Sequence, residues 1–217
     1  MKKHRNINLT TRDFLILTFV GEQECVRLDT IQQYFELKGI QADIRSVRYS
    51  VDRLCDLGFL RKDSLFARSP YVVSAGIETL RLAGLPLTRG EKLLVPSITR
   101  ALHSTAVARV RIEYERGGGI WFCERRIRDD FKGQAHLPDG LVRYGANIYV
   151  IEIERTQKSM KRIQNIISSN ASLPNVSEVH YWTPTHLNQF VIEQTTALHP
   201  SVQAKVKVFS LPSEVNR

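Results

Sequence analysis

Three acidic side chains fall where a strand–turn–strand pattern would bring them together. They are Asp139 in Pro138-Asp139-Gly140, and Glu152 and Glu154 at the end of the apolar run from Ile148. Side chains alternate along a strand, so Ile148, Val150, Glu152 and Glu154 share one face, and Tyr149, Ile151 and Ile153 the other. Two carboxylates on one face of a mostly apolar strand are costly unless cations offset them. Asp139 stands at the start of the hairpin partner, across a turn at Arg143 to Asn147, so its carboxylate can join theirs. Three converging oxygens suit a hard divalent ion, Mg²⁺ or Mn²⁺, with water completing its shell. An ion so held activates water and stabilises charge on a phosphate. The residues equally admit a plainer arrangement, in which Glu152 and Glu154 bridge to Arg143, Arg155 and Lys158 as structural ion pairs.

The elements that position these groups follow from periodicity. A helix is expected from Thr156 to about Ser169, with Met160, Ile163 and Ile167 inward and Lys158, Lys161, Arg162 and Asn165 forming a cationic face. Lys158 on its first turn would lie near Glu154, where a cation offsets the carboxylates, orients a water or stabilises phosphorane charge. Upstream, Pro96 opens a helix carrying Ile98, Leu102, Ala106 and Val110, and Gly117-Gly118-Gly119 frees the chain for a strand from Ile120 to Arg126. Downstream, Glu178–Trp182, His186–Leu198 and Lys205–Leu211 read strand, helix, strand. Residues 89–217 therefore form an α/β layer around a mixed sheet.

Residues 1–88 have a different character. Thr10 or Thr11 caps a helix over Phe14–Val20 that Gly21 ends, a second runs from Leu28 or Asp29 to Lys38, and a third from Asp43 to Leu57. In the third, Ile44, Val47, Val51 and Leu54 face a core, while Arg45, Arg48, Tyr49 and Asp52 point away with Arg53 beside them. Phe59–Lys62 and Tyr71–Val73 are short strands around a basic tip, and Ser74–Ala83 is a further helix. Three helices, a hairpin and a helix is the order of a winged helix-turn-helix. A helix exposing arginines and a tyrosine can enter the major groove, and Arg61, Lys62 and Arg68 on the wing would reach neighbouring phosphates. The competing role for such a helix is packing or protein contact. Gly84-Leu85-Pro86-Leu87-Thr88-Arg89-Gly90 marks the boundary between the two parts.

Composition agrees with a polyanionic partner. Lys and Arg outnumber Asp and Glu by 31 to 22, giving +9, and both halves are basic. No apolar run approaches the roughly 18 residues that span a bilayer. Arg12 and Asp13 interrupt the first apolar stretch, so no secretory signal is expected, and a cytoplasmic location follows. Cys25, Cys55 and Cys123 form no CxxC pair and are expected to be reduced thiols. The six histidines never fall two apart, which excludes a His-x-His metal cluster, and the spacing of Tyr49, Tyr144 and Tyr149 marks no nucleophile.

Helix, three strands, helix, strand, with Pro138-Asp139 and Glu152-Ile153-Glu154 in order, resembles the PD-(D/E)XK nuclease core; Glu154 stands where lysine is usual, and Lys158 is placed to supply the lysine. The winged helix joined to Trp121-x-x-Glu124, Leu137-Pro138-Asp139-Gly140 and the segment from Ile151 to Arg162 resembles the replication-relaxation family of plasmid proteins, nearest the MobC-type (MOBC class) mobilisation relaxases. This resemblance covers most of the chain. It implies a restriction-endonuclease-like second domain in an α+β protein. It also implies a metal-dependent nicking site of Asp139, Glu152, Glu154 and Lys158, with Glu124 a further acidic member. The partners it implies are double-stranded DNA at a transfer origin, supercoiled in its plasmid, a coupling or accessory mobilisation protein, and a second copy of the chain in a homodimer. Arg45, Arg48, Tyr49, Arg53, Lys62, Arg68, Lys161 and Arg162 would contact the DNA. Two further readings are a non-catalytic DNA-binding accessory or regulatory factor and a restriction-type endonuclease.

Overall fold

The computed structural model describes residues 8–64, 71–87, 95–131 and 136–212. The chain divides into two compact units, Met1–Ser104 and Thr105–Arg217. Both mix helix and strand.

In the first unit, α1 (Thr11–Gln23) starts at a reciprocal cap. The Asp13 N–H donates to the Thr10 hydroxyl (3.2 Å), and the Thr10 N–H donates to Asp13 Oδ2 (2.7 Å). Asp13 is almost wholly buried, and Arg53 pairs with it. Gly21 does not end α1 as expected. It lies buried under Leu80 and Leu85, where an added Cβ would come within 3.0 Å of Leu85 Cδ1, so its missing side chain serves close packing. There follow β1 (Cys25–Arg27), which the sequence pattern did not reveal, α2 (Leu28–Leu37) and α3 (Ile44–Asp56). Then come β2 (Leu60–Asp63), β3 (Val72–Ala75) and α4 (Ile77–Leu82). The three strands form an antiparallel sheet in the order β1-β3-β2. Ile16, Phe19, Val20, Ile31, Phe35, Val47, Val51, Leu54 and Leu80 are sealed from solvent, and Phe19 stacks on Tyr34 at 4.0 Å. Ile44 is exposed rather than inward: it opens α3, one turn short of the core.

The second unit takes the later part of α5 (Ile98–Arg116), then β4 (Ile120–Cys123), α6 (Glu124–Ile127), β5 (Gly140–Tyr144) and β6 (Asn147–Ile153). It continues with α7 (Met160–Ala171), β7 (Val176–Thr183), α8 (Thr185–Thr196), α9 (Pro200–Gln203) and β8 (Val206–Ser210). The expected strand over Ile120–Arg126 is thus cut short by the turn of helix α6. The sheet is mixed, in the order β4-β5-β6-β7-β8, antiparallel from β4 to β6 and parallel from β6 to β8. Val150, Val179 and Tyr181 pack under Ile163, Ile166 and Ile167 of α7 and Val191 of α8, which covers one face. On the other, Tyr114 of α5 reaches His180 Nδ1 (2.6 Å), and Trp182 Nε1 donates to the Tyr114 hydroxyl (3.0 Å). The cysteines are free thiols, and burial pushes Cys25 and Cys55 up to about 11. Among the described residues no helix is long and apolar enough to cross a membrane.

Candidate functional site

Register lines up the acidic groups. Gly140 pairs with Cys123 on one side and Ile151 on the other. Asp139 and Glu124 lie just beyond the ends of β5 and β4 at this crossing, and Glu152 is on β6 next to Ile151. Gly140 is obligatory at this crossing: Trp121 lies over it, and a Cβ there would meet the indole Cζ2 at 2.3 Å. Glu124, substantially exposed, turns to Arg128, 3.1 Å away.

Asp139 is fixed by the backbone, since the Ile153 N–H donates to its Oδ2 at 2.7 Å. Glu152, 3% exposed, receives Asn170 Nδ2 of α7 at 2.7 Å, and His136 Nε2 lies 2.8 Å from the same oxygen. Burial and the neighbouring charge of Asp139 push the Glu152 carboxyl above its ordinary range, against the pull of His136 and Asn170. Burial works against a charged His136, but its bond to Glu152 and the two carboxylates outweigh that and raise it. Tyr181, paired with Glu152 across β6 and β7, is 1% exposed. Its hydroxyl has no hydrogen-bond partner among the described residues. Burial and the charges of Glu152, Glu154 and Asp139 hold that phenol far above its ordinary value, so it keeps its proton and can donate it.

Glu154 is 4% exposed, and Lys158 pairs with its Oε2. The Thr156 N–H and hydroxyl donate to Oε1 at 3.2 and 3.4 Å. These bonds hold residues 156–158 out of the helix, which begins at Met160 and not at Thr156, so Lys158 precedes α7 instead of lying on its first turn. Met160 is correspondingly exposed, and Ile166 takes the inward place expected of it. Lys161 and Arg162 do project from the first turn of α7, both exposed.

In the first unit, Arg45, Arg48 and Tyr49 form an exposed face of α3, with Tyr49 73% exposed. Asp43 caps that helix, accepting from the Ser46 N–H at 2.7 Å. Arg53 and Lys62 are engaged within the fold, the first with Asp13 and the second with Asp52 at 2.6 Å. Arg68 lies outside the described residues.

His136, Asn170 and Tyr181 were not singled out from the sequence, although His136 stands three residues before Asp139 and the period-two pattern of β7 places Tyr181 on the Glu152 face. As placed, no group of three His, Cys, Asp or Glu side chains among the described residues is arranged to hold a metal ion. The donor chemistry does fit a water-rich Mg²⁺ or Mn²⁺ site of two carboxylates, Asp139 and Glu152, because Mg²⁺ keeps several waters and takes only one or two protein carboxylates. The Tyr181 hydroxyl is a ready donor to such a water. Glu154, neutralised by Lys158, is a neighbour rather than an obvious ligand. No protein-family model, no curated protein and no solved structure matches this chain.

Proposed function

We propose that the chain is a metal-dependent DNA-nicking protein with a winged-helix-type first unit and a PD-(D/E)XK-like second unit, acting at the transfer origin of a mobile element. The observation that carries this reading is the meeting of Asp139, Glu152 and His136 with the unpartnered Tyr181 hydroxyl at the end of β6, beside the cationic first turn of α7. Antiparallel β4–β6 followed by parallel β6–β8, with helices on both faces, supports the nuclease-like assignment. A bound Mg²⁺ or Mn²⁺ would lower the pKa of a water and stabilise charge on the phosphate. The chain's own residues would do the rest. Ile153 N–H and Asn170 orient the two carboxylates, Tyr181 donates to an incoming oxygen, and Lys158 keeps Glu154 from repelling a phosphate. Arg45, Arg48 and Tyr49 hold the duplex.

The test is incubation of the pure protein with supercoiled plasmids, including one from its own host element, in Mg²⁺, Mn²⁺ or EDTA. Metal-dependent open circles, lost in Asp139→Ala with DNA binding retained, are expected. Linear product would favour a restriction-type enzyme. A second reading, a non-catalytic DNA-binding accessory factor, is favoured by one observation: each of the three carboxylates already has a donor within the fold. Tight, site-selective binding without cleavage on any plasmid would establish it in place of the first.

A further inference from the structure

A concavity of about 370 Å³ opens on the first turns of α7, walled by Ser159, Lys161, Arg162, Asn165 and Ser169, with His136 opposite. His136 joins it to the acidic cluster, since its Nε2 also meets Glu152. Several cations elsewhere in this unit are held by acidic partners, Arg111 by Glu115, Arg128 by Glu124 and Lys158 by Glu154. Lys161 and Arg162 are exposed and, among the described residues, have no carboxylate partner. Ser159 caps α7 without a side-chain hydrogen bond, so the first-turn N–H groups keep their positive end of the helix dipole for an anion.

We infer that this concavity is a phosphate pocket that takes one sugar-phosphate unit of a nucleic-acid strand, one step along the backbone from the carboxylate cluster. Its volume, about a dozen waters at ~30 Å³ each, exceeds what a lone inorganic anion requires. Its only apolar lining residue is Ile166, and its one ring, the His136 imidazole, is tied to Glu152, so it reads backbone rather than base. Two cations and the neutral donors of Ser159, Asn165 and Ser169 suit phosphate oxygens and a sugar hydroxyl or ether. The choice of a strand as the source of the phosphate rests on the proposed nicking function; the anion site itself does not.

The experiment uses the full chain, ¹⁵N-labelled and in EDTA, titrated with inorganic phosphate, with thymidine 3′,5′-bisphosphate and with a short oligothymidylate. All three are expected to shift the amides of Ser159 to Arg162, with affinity rising along the series. Arg162→Ala should weaken the bisphosphate and the oligonucleotide by about tenfold, the loss of one charge-assisted contact. Lys207→Ala, which removes the same charge from an exposed site on β8, should leave both within about twofold. Shifts centred elsewhere, or equal effects of the two substitutions, would overturn the pocket. An oligonucleotide that binds no tighter than the bisphosphate would overturn the strand and point to a free nucleotide. Because metal is absent, a protein that nicks plasmid but fails here loses only this pocket, and one that binds here but never nicks loses only the nuclease reading.

Discussion

Replacing Lys158 by Met removes the cation that neutralises a nearly buried carboxylate while keeping most of the side chain's volume. Breaking one partner of a buried ion pair costs about 3–5 kcal/mol, because the remaining charge is left uncompensated. Two features reduce that here. Lys158 is itself 26% exposed, and Glu154 keeps the Thr156 N–H and hydroxyl on its other oxygen. A loss of about 2–3 kcal/mol follows. Glu154→Gln, which leaves a lysine free to reach water, should cost only about 1 kcal/mol. The double substitution should cost about the same as Glu154→Gln alone, a coupling of about 2 kcal/mol. The assay is direct, because the two tryptophans, Trp121 and Trp182, both lie in the second unit, so urea unfolding followed by their fluorescence reports on that unit. At roughly 4 °C per kcal/mol for a unit near this size, the single Lys158 variant should melt about 10 °C lower. A loss below about 0.5 kcal/mol, or simple additivity in the double variant, would refute the claim that Lys158 neutralises Glu154. Mg²⁺ that restored Lys158→Met but not the double variant would show that the freed Glu154 carboxylate accepts a divalent ion.

Further expectations concern both units. Gly140→Ala drives a Cβ into the Trp121 ring and should destabilise the second unit by about 1–3 kcal/mol, read from the same fluorescence transition; an unchanged midpoint would mean the indole moves freely aside. Arg45→Ala with Arg48→Ala should flatten the salt dependence of duplex binding by about 1.8 in log–log slope, the loss of two phosphate contacts, with α3 amide exchange unaltered. An unchanged slope would take α3 out of the DNA interface. Burial opposes the charge on Asp13, but its bonds to Thr10 and Arg53 outweigh this and hold its carboxyl below the ordinary 3.8. The stability it contributes is therefore complete above that value and fades as pH falls through its lower native pKa. Amide protection in α1 and α3, taken relative to intrinsic exchange rates, should fall across that acidic window in the native chain, and Asp13→Asn should remove this dependence.

The amphipathic segments were legible because their signals are local. Asp43 caps α3 and Val47, Val51 and Leu54 repeat along it, so both its start and its buried face could be read directly. Alternation along β6 placed Glu152 and Glu154 on a common face, which the burial of Val150 beneath α7 agrees with. The misses have long-range causes. Gly21 has the type of a helix stop, but its role is set by Leu80 and Leu85, far along the chain. The run after Glu154 has helical composition, yet Thr156 gives its N–H and hydroxyl to that carboxylate and delays α7. Ile44 and Met160 fit the apolar period but open their helices, where the core does not reach. Asn170 and Tyr181 carry no chemical signature in isolation; only strand pairing and the packing of α7 bring them to Glu152.

The change from antiparallel to parallel pairing at β6 also sets an order of assembly. The meander of β4, β5 and β6 closes through contacts near in sequence, whereas β7 reaches β6 only after α7 has crossed over. On a chain emerging from its N-terminus, Asp139 and Glu152 therefore come together while still hydrated, before Asn170 and Tyr181 exist to enclose them. Burial of the acidic cluster then waits on docking of the parallel half, which brings Asn170 and Tyr181 to Glu152. The enclosed cluster is a property of the finished sheet alone.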